Sequence, residues 1–310
     1  MKISNKKLIF IVGSGRSGTT LLRNIFILHP ETGVVPELKF FSMFWNQRKK
    51  YGSFVANKEK IAIRLIRIIQ AKATDPLHKE ISYDEDKLKK DLLASNSYKE
   101  MMLVLGQTVN TDPEKEIIVF KTPSDVYHLA KIFEWFPDAL VINVLRDGRE
   151  VCASARGRGW GKNIFDLALK WNEPVEVFDI FYKRNKKHQK QILNLKFENL
   201  INKTEETLTE IFEFVGVSFP DDMLQKLKTL SSNSSFDRDK KSGIYESKNF
   251  DRVFNDNEKK TLKGLLYKNL LNHSYDANKE GLGIGERMIY LYHRQRKRFI
   301  RCLNNLGINI

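Results

Sequence analysis

The chain has 310 residues, 41% of them hydrophobic, which is enough to bury a full core and suits one large domain with insertions better than two. Lys and Arg number 53 against 38 Asp and Glu, a formal net charge of +15, and that surplus attracts anions of any kind without bearing on fold. Only two cysteines are present, Cys152 and Cys302, without metal-site spacing; a disulfide scaffold is excluded and a reducing, cytoplasmic setting is expected. No run reaches transmembrane length, and the apolar stretch after Met1 is too short for a signal-peptide core.

Leu8 to Val12 is an apolar run that reads as a buried strand. Gly13, Gly15 and Gly18 make a turn, and Leu22, Ile25 and Leu28 follow at helical spacing. Strand, glycine turn and helix form a phosphate cradle, because glycines let consecutive N–H groups face one anion and the helix adds its positive end. Gly13-x4-Gly18-Thr19-Thr20 departs from the ATP-binding loop G-x-x-x-x-G-K-[ST] at the lysine, here Thr19, which argues against ordinary ATP or GTP chemistry. Arg16 supplies a cation from inside the loop instead.

His29-Pro30 stops the first helix, and Thr32 to Pro36 could hold a short strand. Glu37 follows, ahead of Phe40, Phe41, Phe44 and Trp45. Apolar surroundings of that kind would disfavour its charge and tune it as a general base, although a surface or capping glutamate fits the same residues. Residues 57–110 read as a helical insertion, with Ile61, Leu65, Ile68 and Ile69 on one face and Leu88, Leu92, Met102 and Leu105 on two further helices.

Ile117 to Phe120 is a second apolar strand, ending in Lys121-Thr122-Pro123. After a helix carrying Val126, Leu129, Ile132 and Phe133, a third runs from Ala139 to Leu145 and stops at Arg146-Asp147-Gly148-Arg149-Glu150. Asp147 and Glu150 have capping-box spacing for a helix that holds Ser154. Apolar strands alternating with helices predict an α/β fold whose central parallel sheet is covered on both faces. Ligands of such sheets bind beyond the carboxyl ends of the strands, so the glycine loop, Lys121 and Arg146 should converge, with Ser154 and Arg158 two and three helical turns further on.

Residues 163–184 predict an amphipathic helix with a kink at Pro174. Ile192 to Phe197 predicts a strand, and Asn202 with Glu205 opens a helix closed by Gly216. The polar stretch 231–257 reads as a lid-like loop. These pieces compose one domain over residues 1–285, followed by a basic C-terminal helix, 286–310. On that helix Ile289, Tyr292, Phe299 and Leu303 share a side, and the charges after Glu286 are all basic: Arg287, Arg294, Arg296, Lys297, Arg298 and Arg301. Its basic surface over 286–301 suits a lipid headgroup layer or an acidic polymer, and a solvated face packed on the domain explains it as well.

GSGRSGTTLL and VLRDGREVCAS together resemble the sulfotransferases that use 3′-phosphoadenosine 5′-phosphosulfate (PAPS). The match covers about half the chain and implies a P-loop-type three-layer sandwich with helical insertions. By that resemblance Gly15, Arg16, Ser17, Gly18, Thr19 and Thr20 hold the 5′-phosphosulfate, while Arg146, Ser154 and Arg158 hold the 3′-phosphate. Leu195-Lys196-Phe197-Glu198-Asn199-Leu200 is similar to a further landmark of the family, with Phe197 where relatives often carry tyrosine. Glu37 resembles the catalytic base of protein-tyrosine sulfotransferases, and Glu37-Leu38-Lys39-Phe40-Phe41 resembles the Glu-x-x-Phe-Phe of heparan-type glycan sulfotransferases. Lys121 looks like the lysine placed at the transferring group, joined there by Arg16. The resemblance implies PAPS as donor, adenosine 3′,5′-bisphosphate (PAP) as product, no metal, and a hydroxyl-bearing acceptor, with a glycan or glycolipid ahead of a tyrosine or small metabolite. A nucleotide kinase or NTPase, and a non-enzymatic anion-binding module, are the rival classes; no specific nucleic acid is expected.

Overall fold

The computed structural model describes residues 6–73, 83–112, 114–228 and 249–306. The strands are Lys7–Gly13 (β1), Thr32–Val35 (β2), Ile117–Lys121 (β3), Leu140–Leu145 (β4) and Ile192–Lys196 (β5), hydrogen-bonded in the order β2-β3-β1-β4-β5. β1 and β2 both run parallel to β3, with Leu8 opposite Ile118 and Val34 opposite Val119. The expected α/β architecture around a parallel sheet is the one found. The chain forms two compact units, one of Met1–Val12, Leu22–Ile142 and Ile300–Ile310, the other of Gly13–Leu21 and Asn143–Phe299.

In the first unit, apolar runs become strands because both of their faces are covered: Ile9, Ile11, Val12, Val34 and Val119 are wholly buried. Phe10 stacks on Phe120 at 5.1 Å and on Phe136 at 5.9 Å between ring centroids. Phe54–Ala73, Glu85–Ala94 and Tyr98–Thr108 are helices. Asp84 and Ser97 cap the last two by accepting from the N–H groups of Lys87 and Glu100. Phe41–Trp45 is a π-helical turn that turns Phe41 and Phe44 into the core, where Phe41 stacks on His128. The aromatic residues after Glu37 are therefore mostly structural filling.

In the second unit the wholly buried Trp171 donates its indole N–H to the Arg146 carbonyl at 2.9 Å. Its ring packs on Gly148, where a Cβ would come within 2.5 Å, so only glycine fits under it. This contact sets the turn after β4. The expected capping box is half present. Asp147 caps Gly148–Gly157 by accepting from the Arg149 N–H, but Glu150 accepts instead from the N–H groups of Asn249 and Phe250. Those donors open a short helix elsewhere and compete for its carboxylate. Asn202 likewise does not cap the next helix: it ends a short helix, Phe197–Asn202, and Thr204–Val215 starts after Lys203 without a side-chain cap. Gly216 does close that helix, in the left-handed conformation at φ 77°. Of the lid-like stretch, 231–248 lies outside the described residues. Its remainder holds the Phe250–Val253 helix and Asn255, which forms a capping box with Glu258.

Candidate functional site

The glycine loop is strained in the way a cradle requires. Gly13 and Gly18 have φ of 141° and 97°, and Arg16, with a side chain, is held at 72°. A Cβ on Gly13 would lie 2.4 Å from the Val144 carbonyl oxygen, and one on Gly18 would lie 2.2 Å from the Phe197 ring. Both glycines are thus required by close approach as well as by conformation. The buried Ser17 hydroxyl donates to the Ser14 carbonyl at 2.6 Å and ties the loop across its base; Thr19 is buried and Thr20 half-buried.

Three guanidinium groups gather at this loop. Arg16 Nε donates to Ser154 Oγ at 3.0 Å. Burial, and then the charges of Arg158 and Arg146, push the Arg16 pKa down to about 10. Arg146 lies over the Phe197 ring at 4.5 Å, so the side chain standing where relatives often carry tyrosine packs between the loop and Arg146. The glycine loop, Arg146, Ser154 and Arg158, separated by more than a hundred residues in the chain, are brought together.

Glu198 braces the turn that carries Arg146. Its carboxylate accepts from the Asp147 N–H at 2.9 Å and from the Tyr275 hydroxyl at 3.0 Å. Burial, reinforced by the Glu198 charge, holds the Tyr275 proton far more tightly than usual, which keeps it a donor. The sequence gives no spacing signal for Tyr275. Trp160 was also missed: its indole lies over Gly15 and 5.8 Å from the Arg16 guanidinium, and it is 45% exposed. A tryptophan flanked by Gly157, Gly159 and Gly161 was the available sign.

In the other unit Lys121 Nζ donates to Glu37 Oε2 at 2.5 Å, with Lys121 5% and Glu37 23% exposed. The expectation that apolar surroundings disfavour the Glu37 charge is corrected here. Burial does push its carboxyl up, but the charge and hydrogen bond of Lys121, with Lys39 and Lys72 beyond, outweigh burial and hold it below the usual carboxylate range. Glu37 is thus held as a carboxylate by its partner lysine. Burial pulls the Lys121 pKa down, the Glu37 carboxylate opposes this, and Arg23 and Lys72 add to the burial effect.

Asp125 is a third member that the sequence did not suggest. Only 2% exposed, it has an Oδ1 without a hydrogen-bond partner and lines a small cavity with Leu38, Phe40, Met102 and Phe120. Burial and the neighbouring Glu37 charge push its carboxyl far up, the opposite direction to Glu37. Of two nearby carboxyls, the one with the lysine carries the charge.

The family model described as "Sulfotransferase family" matches residues 9–221. Protein-tyrosine sulfotransferase 2 of Gallus gallus is 26% identical over 229 residues, 70% of this chain and 53% of that protein. An uncharacterised protein of Aquifex aeolicus (strain VF5) is 26% identical over 234 residues, 73% of this chain and 27% of that protein. The chain thus spans about half the length of the tyrosine sulfotransferase it matches and less of the Aquifex protein. Among solved structures, the sulfotransferase domain from the curacin biosynthetic pathway has a TM-score of 0.53 at 19% identity, covering 88% of this chain and 99% of that domain, a likeness of fold. With the family model spanning both the glycine loop and the turn at Arg146, the chain belongs to the sulfotransferase family.

Proposed function

We propose that the protein moves a sulfuryl group from PAPS to an acceptor hydroxyl, and that the acceptor is a carbohydrate. The observation that carries the reading is the crowding of Arg16 by Arg146 and Arg158. Cations gathered at a glycine loop, with Arg16 joined to Ser154 at 3.0 Å, suit a ligand with phosphate-type groups at both ends. When bound, PAPS contributes a sulfuryl group carried on a phosphate bridge.

On this reading the loop N–H groups of Gly15 to Thr20, with the Thr19 and Thr20 hydroxyls, hold the 5′ end. Arg146, Ser154 and Arg158 hold the 3′-phosphate. The Ser154 oxygen already accepts from Arg16, so its own hydrogen is directed to another acceptor, as a phosphate oxygen would provide. Glu37 takes the acceptor proton as the new oxygen–sulfur bond forms and the bond from sulfur to the bridging phosphate oxygen breaks, with PAP as the leaving group. Lys121 and Arg16 offset the negative charge that develops on the bridging oxygen, and the fixed loop dipoles do the same without reorganising.

The carbohydrate acceptor rests on the Glu37-Leu38-Lys39-Phe40-Phe41 pattern and on the net charge of +15. A tyrosine acceptor is the second reading, favoured by the protein-tyrosine sulfotransferases among the relatives. Calorimetry with PAP, set against ATP with magnesium, tests the donor: tighter binding of ATP rejects the proposal. Radiolabelled PAPS offered with sulfate-free heparan-type glycan and with a tyrosine peptide decides the acceptor, and label on the peptide alone rejects the carbohydrate.

A further inference from the structure

We propose that the outer face of the C-terminal helix, Ile284–Leu306, is over Ile284–Arg298 a docking surface for an anionic lipid bilayer. The helix is amphipathic, but it faces the opposite way to that expected of a helix packed on a core. The side that packs is polar. Glu286 accepts from the Thr261 hydroxyl, Tyr290 accepts from Asn172 Nδ2 at 2.8 Å, Arg294 pairs with Glu176, and Lys297 lies 3.6 Å from the Asp166 carboxylate. His293 adds a ring stack on Phe165. Positions 286, 290, 293, 294 and 297 follow the helical period and define one face.

The opposite side carries large apolar residues in solvent: Ile284 is 83% exposed, Met288 and Tyr292 63%, and Ile289 and Leu291 45%. Lone exposed apolar side chains are ordinary, whereas five within about two and a half turns of one helix form a patch. Sharing the solvent side are Arg287, Arg296 and Arg298, all exposed, and no acid follows Glu286 in this helix. Apolar side chains flanked by arginines are the composition of a helix lying in a bilayer interface, the apolar residues entering the acyl boundary and the guanidiniums meeting anionic headgroups. Charge also argues against a second copy of the chain as occupant, since two such faces laid together would oppose arginine to arginine. Among the described residues no helix is long and apolar enough to cross a membrane.

The test is flotation of the full chain with vesicles of phosphatidylcholine alone and of phosphatidylcholine with 30% phosphatidylserine, at about 0.1 M salt. Wild type is expected to float at least tenfold more with the phosphatidylserine vesicles. Both Met288→Ser/Leu291→Ser and Arg287→Ser/Arg296→Ser/Arg298→Ser should reduce this at least tenfold, with an unchanged thermal midpoint, because all five positions face solvent. Equal flotation of the Met288→Ser/Leu291→Ser variant would overturn the proposal, showing attraction by net charge alone. So would a lipid-free dimer, seen by light scattering, that this variant converts to monomer, because the patch would then be a self-interface.

Discussion

Arg16 Nε and Ser154 Oγ lie 3.0 Å apart across 138 residues of sequence, joining the glycine loop to the helix that follows the Arg146 turn. Removing the hydroxyl in Ser154→Ala takes away one orienting hydrogen bond, worth about 0.5–1.5 kcal/mol. PAP affinity measured by calorimetry should fall by a few-fold. On the proposed reading, in which Arg146 holds the 3′-phosphate, Arg146→Ala should cost about 1.5–3 kcal/mol of PAP affinity, tenfold or more.

Glu37→Gln should leave PAP binding nearly intact and lower sulfuryl transfer by about 10²–10⁴, the usual contribution of a general base. Because Lys121 holds the Glu37 carboxyl below the usual range, the wild-type rate should stay on its plateau down through pH 5 and fall only in more acid solution, where Glu37 takes up a proton. A pH–rate profile that drops already between pH 7 and 6 would assign the titrating base to another group.

Asp125→Asn should stabilise the protein at neutral pH. Folding raises the pKa of this carboxyl above that of the unfolded chain, near pH 3.9, so its contribution to stability declines as pH rises above that value. Asparagine abolishes the titration. Thermal melts should show a higher midpoint than wild type at pH 7 and no gain near pH 3.5.

Gly18→Ala should destabilise by about 2 kcal/mol or more, because it adds both a side chain at positive φ and a clash with the Phe197 ring. In a Phe197→Ala background the clash disappears and only the backbone cost, about 1 kcal/mol, remains. A double-mutant cycle followed by denaturant unfolding separates the two.

The strands and the glycine turn were legible in the sequence because each is a local matter. Apolar runs such as Ile117 to Phe120 fit only a strand covered on both faces, and Gly13, Gly18 and Gly216 mark backbone conformations that few residues other than glycine adopt. Capping was less legible. Glu150 has the right spacing for its own helix, yet the open N–H groups of Asn249 and Phe250, a hundred residues on, claim it.

What the sequence alone determined is therefore the α/β order of elements and the residues at the strand ends, since backbone preference and apolar period act over a few residues. Only tertiary structure decided the state of Glu37, because burial and Lys121 act in opposite senses and the distance between partners 84 residues apart sets which prevails. It also decided which side of the C-terminal helix is buried over Ile284–Arg298. A helical period defines two faces, and whether the polar one turns inward depends on Asp166, Asn172 and Glu176 waiting on another helix to receive it.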